Sequence, residues 1–367
     1  RHLEFEARAR QRIIMDLFTP LKLGALELRN RVVMAPMTRS RASEDGLPTD
    51  IMVDYYRQRA TAGLIISEGI APSADGRGYC RTPGIYNEGQ VEAWARVTDA
   101  VHEKGGCMVA QLMHVGRVAN VLNKEAGSET VAPSAIRARG KMYTDLQGMQ
   151  PFDEPRALAL NEIVQVIADY QRATENAFSA GFDGVELHCT SGYLPAQFLC
   201  SGTNKRTDDY GGSTAKRGRF VLEVLEAMAS VDGAQRVGMR ICPDNPFNDI
   251  EDDDPQHTFD YLLQEAKSLN LAYLHAMRFP KGRVDNIALG QRYFGDRLIG
   301  NESYSFEEAG AAVAAGELAA VSFGRHFIAN PDLVERWQSG EQLTAFDLHT
   351  LYTPGAEGYS SYPRAGV

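Results

Sequence analysis

Cysteine is scarce in this chain. Only five of 367 residues, Cys80, Cys107, Cys189, Cys200 and Cys242, are of this type, and they lack the paired short spacings of a zinc or iron–sulfur site. That excludes a disulfide scaffold and a cysteine-ligated metal, and the thiols read as reduced and mostly structural. Long hydrophobic runs are also missing. No stretch approaches the roughly 20 apolar residues that cross a bilayer, and Arg1 to Ile14 lacks the apolar core of a secretory signal. The expectations are no membrane partner and a cytoplasmic location. Positive charge is in deficit, with 38 Lys and Arg against 48 Asp and Glu. This disfavours a nucleic-acid partner, which demands a concentrated basic face.

What is present is a globular balance, 44% hydrophobic and 23% charged, sufficient for a large buried core. Residues 1–14 are charged and outside any periodic pattern, so they are set aside as a cloning remnant or native extension, and residues 15–367 are taken as one domain. Short apolar runs there alternate with amphipathic stretches: Val32 to Pro36, Gly63 to Gly69, Cys107 to His114, Gly184 to His188, Val237 to Pro243, Leu271 to Met277, Arg297 to Asn301 and Ala319 to Gly324. Between them, Val91 to Lys104 and Asn161 to Ala180 carry helical spacing, the second ending at Gly181. No Gly-x-Gly-x-x-Gly follows the first run, which weakens a doubly wound sheet. The pattern predicts a single α/β barrel of the (β/α)8 TIM type. The long insertion Val118 to Pro155, rich in Gly, Ser and charge, follows the third strand and is expected to form a lid or hairpin over the catalytic face.

Barrel chemistry sits where the strands end. The first run leads into Pro36, Met37 and Thr38, and the second into Glu68 and Gly69, where the backbone can approach a ligand. The third carries Gln111 and His114. Either alone more often satisfies a core need than a ligand. The fourth ends in Glu186, His188, Thr190, Ser191 and Tyr193, polar groups costly to bury without partners. Arg240 lies inside the fifth run, paired with Glu186 in the bland case or facing a cofactor heteroatom in the sharper one. The last two runs end in Gly300-Asn301 and Gly324-Arg325, where barrels bind phosphate. Arg325 is either that fork or a solvated arginine.

These residues, with Leu17-Phe18-Thr19-Pro20-Leu21, Arg29-Asn30-Arg31, Ala35-Pro36-Met37-Thr38-Arg39, Asn204-Lys205-Arg206-Thr207-Asp208, Tyr210-Gly211-Gly212 and Phe323-Gly324-Arg325, resemble the Old Yellow Enzyme family over nearly everything after Met15. The resemblance is to its classical branch, which has threonine at the Thr38 position. It implies an FMN-dependent ene-reductase with NADPH or NADH as reductant, acting on a small-molecule activated alkene. Hydride would leave flavin N5 and a tyrosine would protonate the substrate. It further implies that Pro36, Thr38, Gly69, Gln111 and Arg240 contact the flavin ring, that Gly300, Asn301, Gly324 and Arg325 hold its phosphate, and that Tyr79, Met113 and Tyr359 join His188 and Ser191 around the substrate. In this scheme Tyr193 is the proton donor. No metal is implied, and a monomer and a homodimer fit equally.

The chain departs from the family pattern at Ser191, where Asn or His is usual and where a shorter donor predicts weaker polarisation of the substrate carbonyl. Met113 replaces a tryptophan of several relatives, predicting a wider pocket wall. Asn301-Glu302 replaces small residues of the phosphate loop. A metal or Schiff-base aldolase on the same fold lacks its residues, since no lysine lies within a barrel strand. A flavoprotein reducing quinones, nitro compounds or nitrate esters is the nearer alternative.

Overall fold

The computed structural model describes residues 16–366, so the expectation for residues 1–14 lies outside the described residues. A short hairpin opens the described chain, β1 (Leu21–Leu23) pairing antiparallel with β2 (Leu26–Leu28). Its turn needs Gly24, whose φ is +57° and where a Cβ would lie 2.5 Å from the Gln235 carbonyl oxygen. The hairpin plugs the floor of a barrel: Leu23, Leu26 and Leu28 pack against Val33, Leu64, Ile66, Val109, Tyr273 and Ile299. Nothing in the sequence reading anticipated this plug.

The barrel itself has eight parallel strands, β3 (Val32–Met34), β4 (Leu64–Ile70), β5 (Met108–Leu112), β10 (Gly184–His188), β11 (Val237–Ile241), β12 (Tyr273–Met277), β13 (Leu298–Asn301) and β14 (Ala320–Phe323), the last closing on the first. Seven predicted runs contain one strand each, and the remaining one, Gly63 to Gly69, stops one residue short of the end of β4 at Ile70. The strands read as nearly continuous apolar runs because both faces are covered, by helices outside and by packed side chains within. The helices are α1 (Asp50–Gln58), α2 (Glu88–Glu103), α3 (Leu160–Ser179), α4 (Leu194–Leu199), α5 (Thr214–Asp232), α6 (Pro255–Lys267), α7 (Asn286–Phe294), α8 (Phe306–Ala314), α9 (Arg325–Ala329) and α10 (Leu333–Ser339). Trp94, Val97 and Val101 form the buried stripe of α2, and the Asn87 side chain caps that helix by accepting from the Gln90 amide.

The insertion after β5 carries β6 (Val131–Ala132), β7 (Lys141–Thr144), β8 (Gly148–Pro151) and β9 (Arg156–Ala157), with β7 and β8 forming an antiparallel hairpin. Met142 and Phe152 at its base pack with Met113, Val115, Val118, Ala138, Tyr79 and Tyr193, so the insertion covers one side of the barrel mouth. The C-terminal segment runs back across another side. Arg39 donates to the Leu351 and Gly358 carbonyls, and Arg41 to those of Thr350, Leu351, Gly355 and Glu357.

Candidate active site

Strand alternation decides which side chains enter the barrel. Above the apolar floor, the next inward positions are Gln111, Glu186, Arg240, His275, Asn301 and Ser322, a polar layer closed by hydrogen bonds. Gln111 Nε2 donates to Glu186 Oε1 at 2.8 Å, and the Tyr273 hydroxyl to Glu186 Oε2 at 2.9 Å. His275 Nδ1 lies 3.1 Å from the same oxygen, while its Nε2 lies 2.8 Å from Arg240 NH1 and 2.6 Å from Ser322 Oγ. Arg240 NH2 donates to Asn301 Oδ1 at 2.8 Å. Burial, reinforced by the Arg240 charge, pushes the His275 imidazole down to about 4. The ring is therefore neutral at pH 7, donating from Nδ1 to Glu186 and accepting at Nε2. Glu186 stays below the usual carboxylate range: burial pushes it up, but His275, Arg240 and Gln111 more than offset this. Arg240 thus meets Glu186 through a neutral imidazole rather than in the direct pair considered from sequence.

Two local devices make room for this layer. Tyr273 lies across the barrel where Gly238 has no side chain, since a Cβ there would stand 2.2 Å from the phenol ring. In β4 the register against β5 slips between Ile66 and Gly69, a bulge that turns Glu68 away from the barrel axis onto the Tyr56 hydroxyl of α1. Gly69 then faces Met113, whose sulfur would sit 2.6 Å from a Cβ at that position.

Over the polar layer stand His188, Tyr193 and Tyr79. The His188 and Tyr193 rings meet edge to face at 4.8 Å, and the Tyr193 and Tyr79 hydroxyls are 2.8 Å apart. Burial and the Arg240 charge push His188 down to about 3. Its Nδ1 accepts from the Thr190 amide at 3.4 Å, which leaves Nε2–H as the donor. Burial and the neighbouring Tyr79 hold the Tyr193 phenol well above its ordinary value, so it keeps its proton at neutral pH. Ser191 is half-buried with φ +58°, its carbonyl accepting from Asn248 Nδ2 at 2.8 Å. Pro36 and Thr38 are half-buried on the segment leaving β3, and the hydroxyls of Thr38 and Ser191 have no partner among the described residues.

At the ends of β13 and β14 the assigned residues divide. Gly324 precedes α9, and a Cβ there would crowd the Met37 side chain, 3.3 Å from its sulfur, with the Ala35 Cβ at 3.9 Å. Arg325 is exposed and paired with Glu302 Oε1 at 2.7 Å. Gly300 faces outward, where a Cβ would lie 2.5 Å from Leu318, so packing explains this glycine. The Asn301 side chain turns inward to Arg240 and to the Ser322 carbonyl, leaving only its backbone for a phosphate. Tyr359 is fully buried, stacked on Tyr55 at 3.9 Å with Arg39 and Arg41 over its ring. Sequence reasoning missed His275, Tyr273, Ser322 and Asn248. The sixth run was not read for its inward residues, whereas the period-2 spacing Tyr273, His275, Met277 marks the inner face of β12.

The donor set fits FMN. A flat heteroaromatic ring with carbonyl oxygens and ring nitrogens matches a guanidinium, a carboxamide and an unpartnered threonine hydroxyl at one barrel mouth. No group of three or more metal-ligating side chains occurs among the described residues, and no described helix is long and apolar enough to cross a membrane. The model of the NADH:flavin oxidoreductase / NADH oxidase family matches residues 16–344. The chain is 41% identical over 354 residues to a protein of Leishmania infantum named a probable flavin mononucleotide-dependent alkene reductase, covering 95% of this chain and 97% of that one. It is similar to the solved structure of morphinone reductase in complex with tetrahydroNAD, at 45% identity and TM-score 0.89, covering 95% and 97% of the two chains. It is also similar to the old yellow enzyme homologue from Zymomonas mobilis, at 40% identity and TM-score 0.90, covering 95% and 99%.

Proposed function

The chain belongs to the NADH:flavin oxidoreductase / NADH oxidase family, and from that premise we propose that its barrel mouth reduces activated alkenes with His188, Ser191 and Tyr193 acting on the substrate. It is an FMN-dependent oxidoreductase of the Old Yellow Enzyme type, driven by NAD(P)H. When bound, FMN would supply the hydride chemistry, with NAD(P)H as the electron source and the activated alkene as the acceptor.

The protein's own residues do the rest. Gln111, Arg240 and Thr38 would hold the ring, with Pro36 and Gly69 beside it, and the buried cation of Arg240 would favour negative charge on the group it touched. His188 Nε2–H and the Ser191 hydroxyl donate to the carbonyl or nitro oxygen of the substrate and draw charge towards it as the β-carbon is attacked. Because His188 is neutral, its proton stays on the ring, and the histidine polarises rather than protonates. Tyr193 delivers a proton to the α-carbon, and the Tyr79 hydroxyl 2.8 Å away aligns that proton and stabilises the phenolate left behind. Met113 and the insertion hairpin exclude water from this space.

The observation that carries this reading is the phenol–phenol hydrogen bond beside a neutral, edge-on imidazole. Tyr193→Phe tests it. Turnover of a cyclic enone should fall by about 100-fold, the usual scale of general-acid catalysis, with FMN content unchanged. Turnover equal to the parent protein's contradicts the role. Ser191, with one short donor, favours a second activity on quinones or nitrate esters, whose reduction needs no carbon protonation and should survive Tyr193→Phe. A cytoplasmic location suits an acidic chain whose five thiols are all unpaired.

A further inference from the structure

The loop leaving β13 holds two consecutive non-glycine residues in the left-handed region, Glu302 at φ +84° and Ser303 at φ +57°. Such residues are strained and persist where something else fixes them. Here one ion pair and three hydrogen bonds do the fixing. Glu302 Oε1 accepts from Arg325 NH2 at 2.7 Å and from Ser303 Oγ at 2.8 Å, Arg325 NH2 also reaches Ser303 Oγ at 3.0 Å, and Arg278 Nε holds the Glu302 carbonyl at 2.9 Å. Barrels seat phosphate between the loops after the seventh and eighth strands, here β13 and β14. This chain places a carboxylate there, paired with the Arg325 guanidinium at the start of α9.

We propose that Glu302 is a cofactor-specificity residue that competes with the phosphate of FMN for Arg325, so that the phosphate adds little to binding and riboflavin is accepted nearly as well as FMN. The inference rests on the flavin reading above. Glu302 and Ser303 engage Arg325 through NH2 alone, so a phosphate seated on the same guanidinium stands beside the Glu302 carboxylate, anion against anion. The ring and its polar layer lie beyond this exchange and contribute equally for either flavin.

The test is titration of flavin-free protein with FMN and with riboflavin, followed by quenching of flavin fluorescence, for the parent, Glu302→Gln and Glu302→Gly. Glutamine removes the charge at nearly constant shape, and glycine suits φ +84°, so both variants should fold. The parent should discriminate between the two flavins by less than about tenfold. Both variants should bind FMN at least about tenfold more tightly, the equivalent of one competing interaction of 1.4 kcal/mol, with riboflavin affinity unchanged. Unchanged FMN affinity in both variants, or equal gains for both flavins, overturns the role of Glu302 while leaving the flavin site standing. Failure of every protein to bind either flavin overturns the flavin reading and this inference with it.

Discussion

Ser191 occupies a left-handed backbone position, φ +58°, followed by Gly192 at φ +77° and braced by Asn248 on its carbonyl. Asparagine adopts that conformation more readily than serine and offers an amide donor. Ser191→Asn should therefore fold at least as well and tighten the binding of a phenol by about tenfold, the scale of one added hydrogen bond, as read from the flavin charge-transfer band; unchanged affinity removes the idea that Ser191 weakens oxyanion binding. Glu68 is a residue of a different kind, fully buried behind the bulge with its carboxyl raised from 4.5 to about 7 by desolvation, against the hydrogen bond from Tyr56. A raised carboxyl favours the folded state at low pH. Its contribution is complete below about 4.5 and is lost as pH climbs through about 7, because the unfolded chain ionises first. Measured by denaturant unfolding, Glu68→Gln should gain about 3 kcal/mol on the parent between pH 4.5 and 7.5. A difference independent of pH would show that Glu68 is ionised throughout.

At the scale of elements, β10, β11, β12 and β13 meet through one network rather than through separate pairs. Removing its hub, His275→Ala, leaves the Arg240 cation and the Glu186 carboxylate buried without their bridge, and should cost about 3 kcal/mol of stability. Flavin affinity should fall as Arg240 loses its orientation, and a variant with parental stability and affinity would remove the network from the account. Strand positions were legible in the sequence because a parallel barrel buries both strand faces, leaving eight apolar runs between amphipathic ones. His188 and Tyr193 were read at or just past the end of the fourth run, and Gln111 and Arg240 inside the third and fifth. The inner layer was not legible. His275 and Ser322 sit inside apolar runs where only the alternation, not the residue type, reveals that they face the axis. Glu302 was noted as a departure, but its pairing with Arg325 depends on a backbone geometry that no local pattern announces.

For the whole molecule, closure depends on segments distant in sequence. The hairpin of β1 and β2 seals the floor, and the C-terminal segment is clasped by Arg39, Arg41 and Arg59, the last donating to Phe327, Ile328 and Tyr359 carbonyls. Deleting the chain from Leu348 onward strips acceptors from the buried Arg39 and Arg41 and should lower Tm by at least about 5 °C, since each kcal/mol is worth roughly 2–4 °C at this size; an unchanged Tm would make the clasp ornamental. The segment also buttresses the strand exit that carries Thr38, which ties the fold's edge to the site.

The central claim is that one barrel mouth takes two electrons from a nicotinamide and returns them to an activated alkene. It is tested most directly in an anaerobic cell, by following the flavin absorbance of the purified holoenzyme as NADPH and then 2-cyclohexenone are added in turn. The account predicts bleaching on the first addition, recovery on the second, and cyclohexanone in stoichiometric yield. Bleached flavin that the enone leaves bleached, with no saturated ketone formed, would contradict it.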